Sequence, residues 1–154
     1  MKRYDAIVSE QRQRVATALI AERVMVCMSS AADAPRVIRA GARLAGRLGA
    51  RWYAVYVQTP RETPDHIKPR DRDALQRNIA LAEQLGATIV RVKADKAADG
   101  LVAFAKREGI THAVFGQTGR SRLEILVKGS TLNRFLEEVG DAAVQVVPYG
   151  ESAA

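Results

Sequence analysis

HAVFGQTGRSRLEILVKGST, residues 112–131, begins as a short apolar run and breaks at Gly116. It then crosses a polar stretch to Gly129, Ser130 and Thr131, just ahead of a segment of helical period. A strand, a glycine-bearing loop and a helix start in that order form the joint at which open α/β sheets bind ligands. Glycine lets backbone N–H groups approach an anion closely, and a helix amino terminus offers it free N–H groups and the positive end of a dipole. The spacing G-x2-G-x9-G-[ST] fixes Gly116, Gly119, Gly129 and Ser130. From average composition it arises by chance in roughly one chain of this length in two hundred, so a phosphate loop is favoured over a plain turn. Gln117, Thr118, Arg120 and Thr131 complete the candidate phosphate site. Arg120, Arg122 and Lys128 add positive charge to it, and the bland alternative for Ser130 is a helix cap.

Outward from this joint, short apolar runs alternate with longer helical stretches, the pattern of a parallel sheet covered on both faces. Strands are predicted at Val24–Met28, Trp52–Val57, Thr88–Val92, His112–Gly116 and Ala143–Val147. Helices are predicted after Asp33, with Pro35 in the first turn, then over Arg70–Leu85, Lys96–Glu108 and Ser130–Val139. Gly49, Gly86 and Gly109 read as helix stops. The inward stripes are Val37, Ile38, Ala42, Ala45 and Leu48; Leu75, Asn78, Ile79, Ala82 and Leu85; Ala98, Leu101, Val102 and Ala105; and Leu132, Phe135, Leu136 and Val139. Arg36, Arg39, Arg43 and Arg47 recur on a separate, solvated face of the first helix. TPRETPDHIKP, residues 59–69, holds three prolines and reads as a mobile loop at the carboxyl end of the second strand. Residues 1–21 read as an appended helical arm, 22–150 as one α/β domain and 151–154 as a disordered tail.

The formal charge is +7, from 24 Lys plus Arg against 17 Asp plus Glu, which points to an anionic partner without choosing one. No apolar run approaches the roughly 20 residues that cross a bilayer, so a cytoplasmic protein without a membrane span is expected. Cys27 stands alone in an apolar run and reads as a small hydrophobe. His66 and His112 have no partner at ligand spacing, so no metal site is expected. Lys128-Gly129-Ser130-Thr131 has the letters of a Walker loop in the wrong order, and no serine sits in a G-x-S-x-G elbow. Glu137 and Glu138 fall on the outer face of the last helix. No dedicated catalytic group is expected, and nucleic-acid binding is not expected because the arginine face lacks interleaved aromatics.

The glycine motif, the five-strand pattern and the order of elements resemble the universal stress protein family across residues 22–148. Within that family RVMVCMSS (23–30), RLAGRLGARWYAVYVQTP (43–60) and GSTLNRFLEE (129–138) resemble the stress domain of KdpD osmosensitive potassium-transport sensor kinases. The resemblance implies a sheet of order 3-2-1-4-5, with ATP or a related adenine nucleotide, and Mg2+ as a candidate companion ion, across the switch between strands one and four. It implies phosphate and ribose contacts at Gly116, Gly119, Gly129, Ser130 and Thr131. Nucleoside contacts would come from Met28, Ser29, Ser30, Tyr56 and Val57. Serine stands at 29 where ATP-binding members commonly have aspartate.

Some KdpD stress domains bind cyclic di-AMP through S-x-S and a later F-T-A-x-Y. Here Ser29, Ala31 and Trp52, Tyr53, Ala54, Val55 and Tyr56 occupy those places and keep part of the pattern. Packing is the expected role of Trp52. A homodimer through the apolar edge of Val144, Val146 and Val147 is expected, and a signalling protein partner is implied. The leading function is nucleotide-dependent stress or osmotic sensing. The alternative is a cyclic di-AMP-responsive or nucleotide-free interaction protein that regulates potassium transport.

Overall fold

The computed structural model describes residues 22–28, 34–60, 67–116 and 131–148. The elements are β1 (Arg23–Cys27), α1 (Ala34–Leu48), β2 (Arg51–Gln58), α2 (Pro69–Gln84), β3 (Thr88–Lys93), α3 (Ala97–Glu108), β4 (His112–Gly116), α4 (Thr131–Glu138) and β5 (Ala143–Val147). The five strands form one parallel sheet in the order β3-β2-β1-β4-β5. The sequence-based boundaries hold to within two residues. The arm at 1–21, the cap Asp33, most of the proline-rich loop and the tail lie outside the described residues.

Burial explains the sequence pattern strand by strand. Val24, Met25 and Val26 on central β1 are fully buried because helices cover both faces of the sheet, so apolar side chains need not alternate with polar ones. Edge strand β3 is mixed, with Thr88, Arg91 and Lys93 exposed and Ile89, Val90 and Val92 half-buried. On one face α1 and α2 bury Val37, Ile38, Leu75, Ile79 and Ala82 against Val24, Val26, Trp52, Ala54 and Tyr56. On the other, α3 and α4 bury Leu101, Phe104 and Phe135 against Met25, Val55, Ala113 and Phe115. Phe135 meets Phe115 edge to face at 5.2 Å, which seats α4 beside β4.

Two glycines fix close geometry. A Cβ on Gly41 would collide with the Val26 side chain, so α1 lies closer to β1 than any other residue there would permit. Gly109 (φ 64°) takes the left-handed conformation that ends α3, and the Ile110 N–H then donates to the Ala105 carbonyl at 3.0 Å.

Two residues expected inward and one expected on the exposed edge turn out differently. Leu85 is 40% exposed because it caps α2 beyond its last helical turn. Leu136 is 47% exposed because, about 100° around the helix from Phe135, it falls off the narrow stripe that a two-turn helix buries. Val147, expected on an exposed edge, is buried in the α1–α2 core, and Val144 packs half-buried on the opposite face. Val146, at 39% exposure, is the apolar edge residue of the three.

Candidate functional site

The order of the strands creates the site. β1 continues through α1 on one face to β2, while β4 continues through α4 on the other face to β5. The connections diverge at the carboxyl ends of β1 and β4 and leave a crevice between them. A cleft of about 210 Å³ occupies this position. Cys27 and Met28 from β1, Val55, Tyr56 and Val57 from β2, and Phe115 and Gly116 from β4 form its sheet side. Its helical walls are Ala34, Val37 and Ile38 of α1, Ala97 and Leu101 of α3, and Thr131 of α4.

Ala34, Ala97 and Thr131 are the first residues of their helices, so three helix amino termini meet at one cleft. Each brings backbone N–H groups without intrahelical partners and the positive end of a dipole. α1 and α4 carry no acidic residue in their first turns. α3 carries Asp99 there, but Arg134 of α4 pairs with it and also donates to Glu138 at 2.9 Å. The bridge ties α3 to α4 close to their cleft-facing ends and neutralises the carboxylate that would otherwise oppose an anion. Asp99 first, then Glu138, holds the Arg134 guanidinium firmly protonated.

The described wall is otherwise apolar and carries no charged side chain. Its polar side-chain atoms are the Tyr56 and Thr131 hydroxyls and the Cys27 thiol. Cys27 is half-buried and borders the cleft, and burial pushes its thiol above the ordinary range, which keeps it neutral and a poor nucleophile. Among the described residues no group of His, Cys, Asp and Glu could hold a metal ion, and no helix is long and apolar enough to cross a membrane. Such a surface suits a flat, largely apolar base and a sugar, with negative charge directed toward Gly116 and Thr131.

Of the residues singled out in the sequence, Met28, Tyr56, Val57, Gly116 and Thr131 come together here. Ser29, Ser30, Gln117, Thr118, Gly119, Arg120, Gly129 and Ser130 lie outside the described residues. Trp52 does not reach the cleft: it is buried at the start of β2, beside Gly41 and Gly86. Tyr53 packs edge to face on Phe104 at 5.4 Å. Ala34, Ala97, Cys27 and Phe115 were not foreseen in the wall. Small residues at the first position of two helices are the signal that marks such a close approach.

A five-stranded parallel sheet of order 3-2-1-4-5 with a cleft at its switch point defines an open α/β domain. Residues 21–140 match the model of the universal stress protein family, and the chain belongs to that family. It is 26% identical over 128 residues to the sensor protein KdpD of Clostridium acetobutylicum, covering 83% of this chain and 13% of that one. It is 28% identical over 99 residues to the sensor protein KdpD of Escherichia coli, covering 64% of this chain and 11% of that one. The chain therefore spans a small part of these relatives. A universal stress protein solved in complex with cAMP shares the fold at a TM-score of 0.63 and 18% identity, over 84% of this chain and 98% of that one. A universal stress protein from Archaeoglobus fulgidus DSM 4304 does so at 0.61 and 17%, over 86% and 46%.

Proposed function

We propose that this domain binds an adenine nucleotide at the carboxyl edge of its sheet and works as a regulatory module. The observation that carries the reading is the meeting of three helix amino termini on an apolar cleft bordered by Gly116 and Thr131. The base and ribose would lie against Met28, Tyr56 and Val57. The phosphates would lie toward Gly116 and Thr131, with Gly119, Arg120, Gly129 and Ser130 completing the cradle. ATP, with Mg2+ on its phosphates, is the ligand proposed. The cAMP-bound fold relative supports the adenine class. No described wall residue supplies a general base or an activated nucleophile, so binding rather than turnover is the proposed action.

The chain would act in the cytoplasm as a stress or osmotic sensor, passing the nucleotide state to a signalling protein, a role consistent with its KdpD relatives. It would do so as a homodimer. The two sheet edges differ: β3 guards itself with Arg91 and Lys93, whereas β5 is uncharged and exposes Val146. A monomer by light scattering at micromolar concentration would remove the dimer. The cyclic di-AMP reading loses its stacking platform because Trp52 and Tyr53 are committed to the core.

Calorimetric titration with ATP, ADP, AMP, cAMP and cyclic di-AMP, with and without Mg2+, tests the proposal. We expect adenine mononucleotides to bind the wild type and Gly119→Glu to abolish binding. No mononucleotide binding by the wild type would overturn it.

A further inference from the structure

The outer side of α1 has a character of its own. Arg36, Arg39, Arg43 and Arg47 are all exposed, and the helix contains no acidic residue. At about 100° and 1.5 Å per residue, the four fall within an arc of roughly 80° and a row about 16 Å long. Among the described residues none of the four takes part in an ion pair, as is also true of Arg51, Arg70, Arg72, Arg77 and Arg91; what sets the four apart is their alignment on one helix that has no acidic residue. Like charges four residues apart on one helix oppose its formation, so this row gives the fold nothing in return for its repulsion.

The arrangement narrows the kind of anion it fits. Guanidinium groups are planar, always charged and able to grip phosphate oxygens in pairs. The opposite side of α1 is buried on the sheet through Val37, Ile38 and Ala45, so the helix has no apolar face to sink into a bilayer. Neither α1 nor neighbouring α2 contains an aromatic residue, which removes the platform that single-stranded bases require. What remains is a row of phosphate-gripping groups along one helix of a chain whose sequence pI is about 10.0.

We propose that the exposed arginine row of α1 docks the phosphodiester backbone of double-stranded nucleic acid without reading its sequence. The surface is separate from the cleft and stands whether or not a nucleotide binds there. The absence of aromatics, which in the sequence argued against nucleic acid, excludes base stacking but leaves backbone contact untouched.

The test is fluorescence anisotropy of the full chain with labelled 20-base-pair DNA and RNA duplexes of scrambled sequence, between 50 and 200 mM salt. If four phosphates are engaged, the logarithm of the binding constant for DNA falls against the logarithm of salt with a slope of about −3.6. Arg39→Gln with Arg43→Gln brings the slope to about −1.8, and replacing all four abolishes binding, with circular dichroism and thermal midpoint unchanged. Lys106→Gln on α3 serves as a charge-loss control and leaves binding unchanged. The DNA and RNA arms show which duplex is preferred. No duplex binding at 50 mM salt, a slope indifferent to Arg39 and Arg43, or capture by phosphatidylserine vesicles in place of duplexes would overturn the proposal.

Discussion

The two ends of the sheet solve opposite problems. At the amino ends of β1 and β4, polar side chains satisfy one another. The Thr111 hydroxyl accepts the Arg23 N–H at 3.0 Å and lies 3.2 Å from a Glu22 carboxylate oxygen and 2.9 Å from His112 Nδ1. His112 Nδ1 also lies 3.1 Å from Glu22, and Arg23 reaches the Glu108 carbonyl at 3.0 Å and its carboxylate at 3.3 Å. At the carboxyl ends the described wall has no charged side chain; its polar groups are those of Tyr56, Thr131 and Cys27 and the backbone at three helix starts. A closed network holds a fold together, whereas helix starts gathered on a cleft offer backbone N–H groups to a ligand.

Substitutions at the two ends should therefore separate binding from stability. The largest effect is expected at the cleft: Ala97→Trp places an indole across the mouth and should weaken nucleotide binding about 30-fold or more, with little change in melting. Equal loss of binding and stability would break the distinction. At the opposite end Thr111→Val keeps the shape but strands the Arg23 N–H. It should cost about 1–3 kcal/mol, or roughly 2–4 °C of midpoint per kcal/mol, with Kd unchanged in calorimetry.

Cys27 sharpens the comparison from the cleft side. Its thiol is raised in the folded state, so the unfolded chain ionises first as pH climbs past about 9. The stability contribution is full below that pH and declines above it, by at most about 1.4 kcal/mol per pH unit. Cys27→Ala should flatten that alkaline decline when melting is followed from pH 7 to 10.5. The smallest effect belongs to Arg23→Met. Its ion pair with Glu108 is 32% exposed on both sides and should contribute only about 0.5 kcal/mol, a difference that fades in 1 M salt.

Much of this was legible in the sequence because strand burial writes itself as apolar runs. Strands β4 and β5 fall at the expected residues, and the glycine pattern pointed to the joint that carries Gly116 and Thr131. The cleft wall was harder to read. Val37, Ile38 and Leu101 register as core residues because apolarity does not reveal which end of an element a residue occupies. The Asp99–Arg134 bridge was invisible because it joins two helices separated by β4 and its loop. Val147 was misjudged because an edge strand still has a face turned to the core.

The central claim is the location of the nucleotide, and methyl-resolved NMR of the full chain titrated with ATP tests it most directly. Methyl signals of Val37, Ile38, Val57 and Leu101 should shift saturably, while those of Ile110 and Val139, buried toward the amino edge, stay in place. Shifts confined to the amino edge, or no saturable shift at the cleft, would contradict the account.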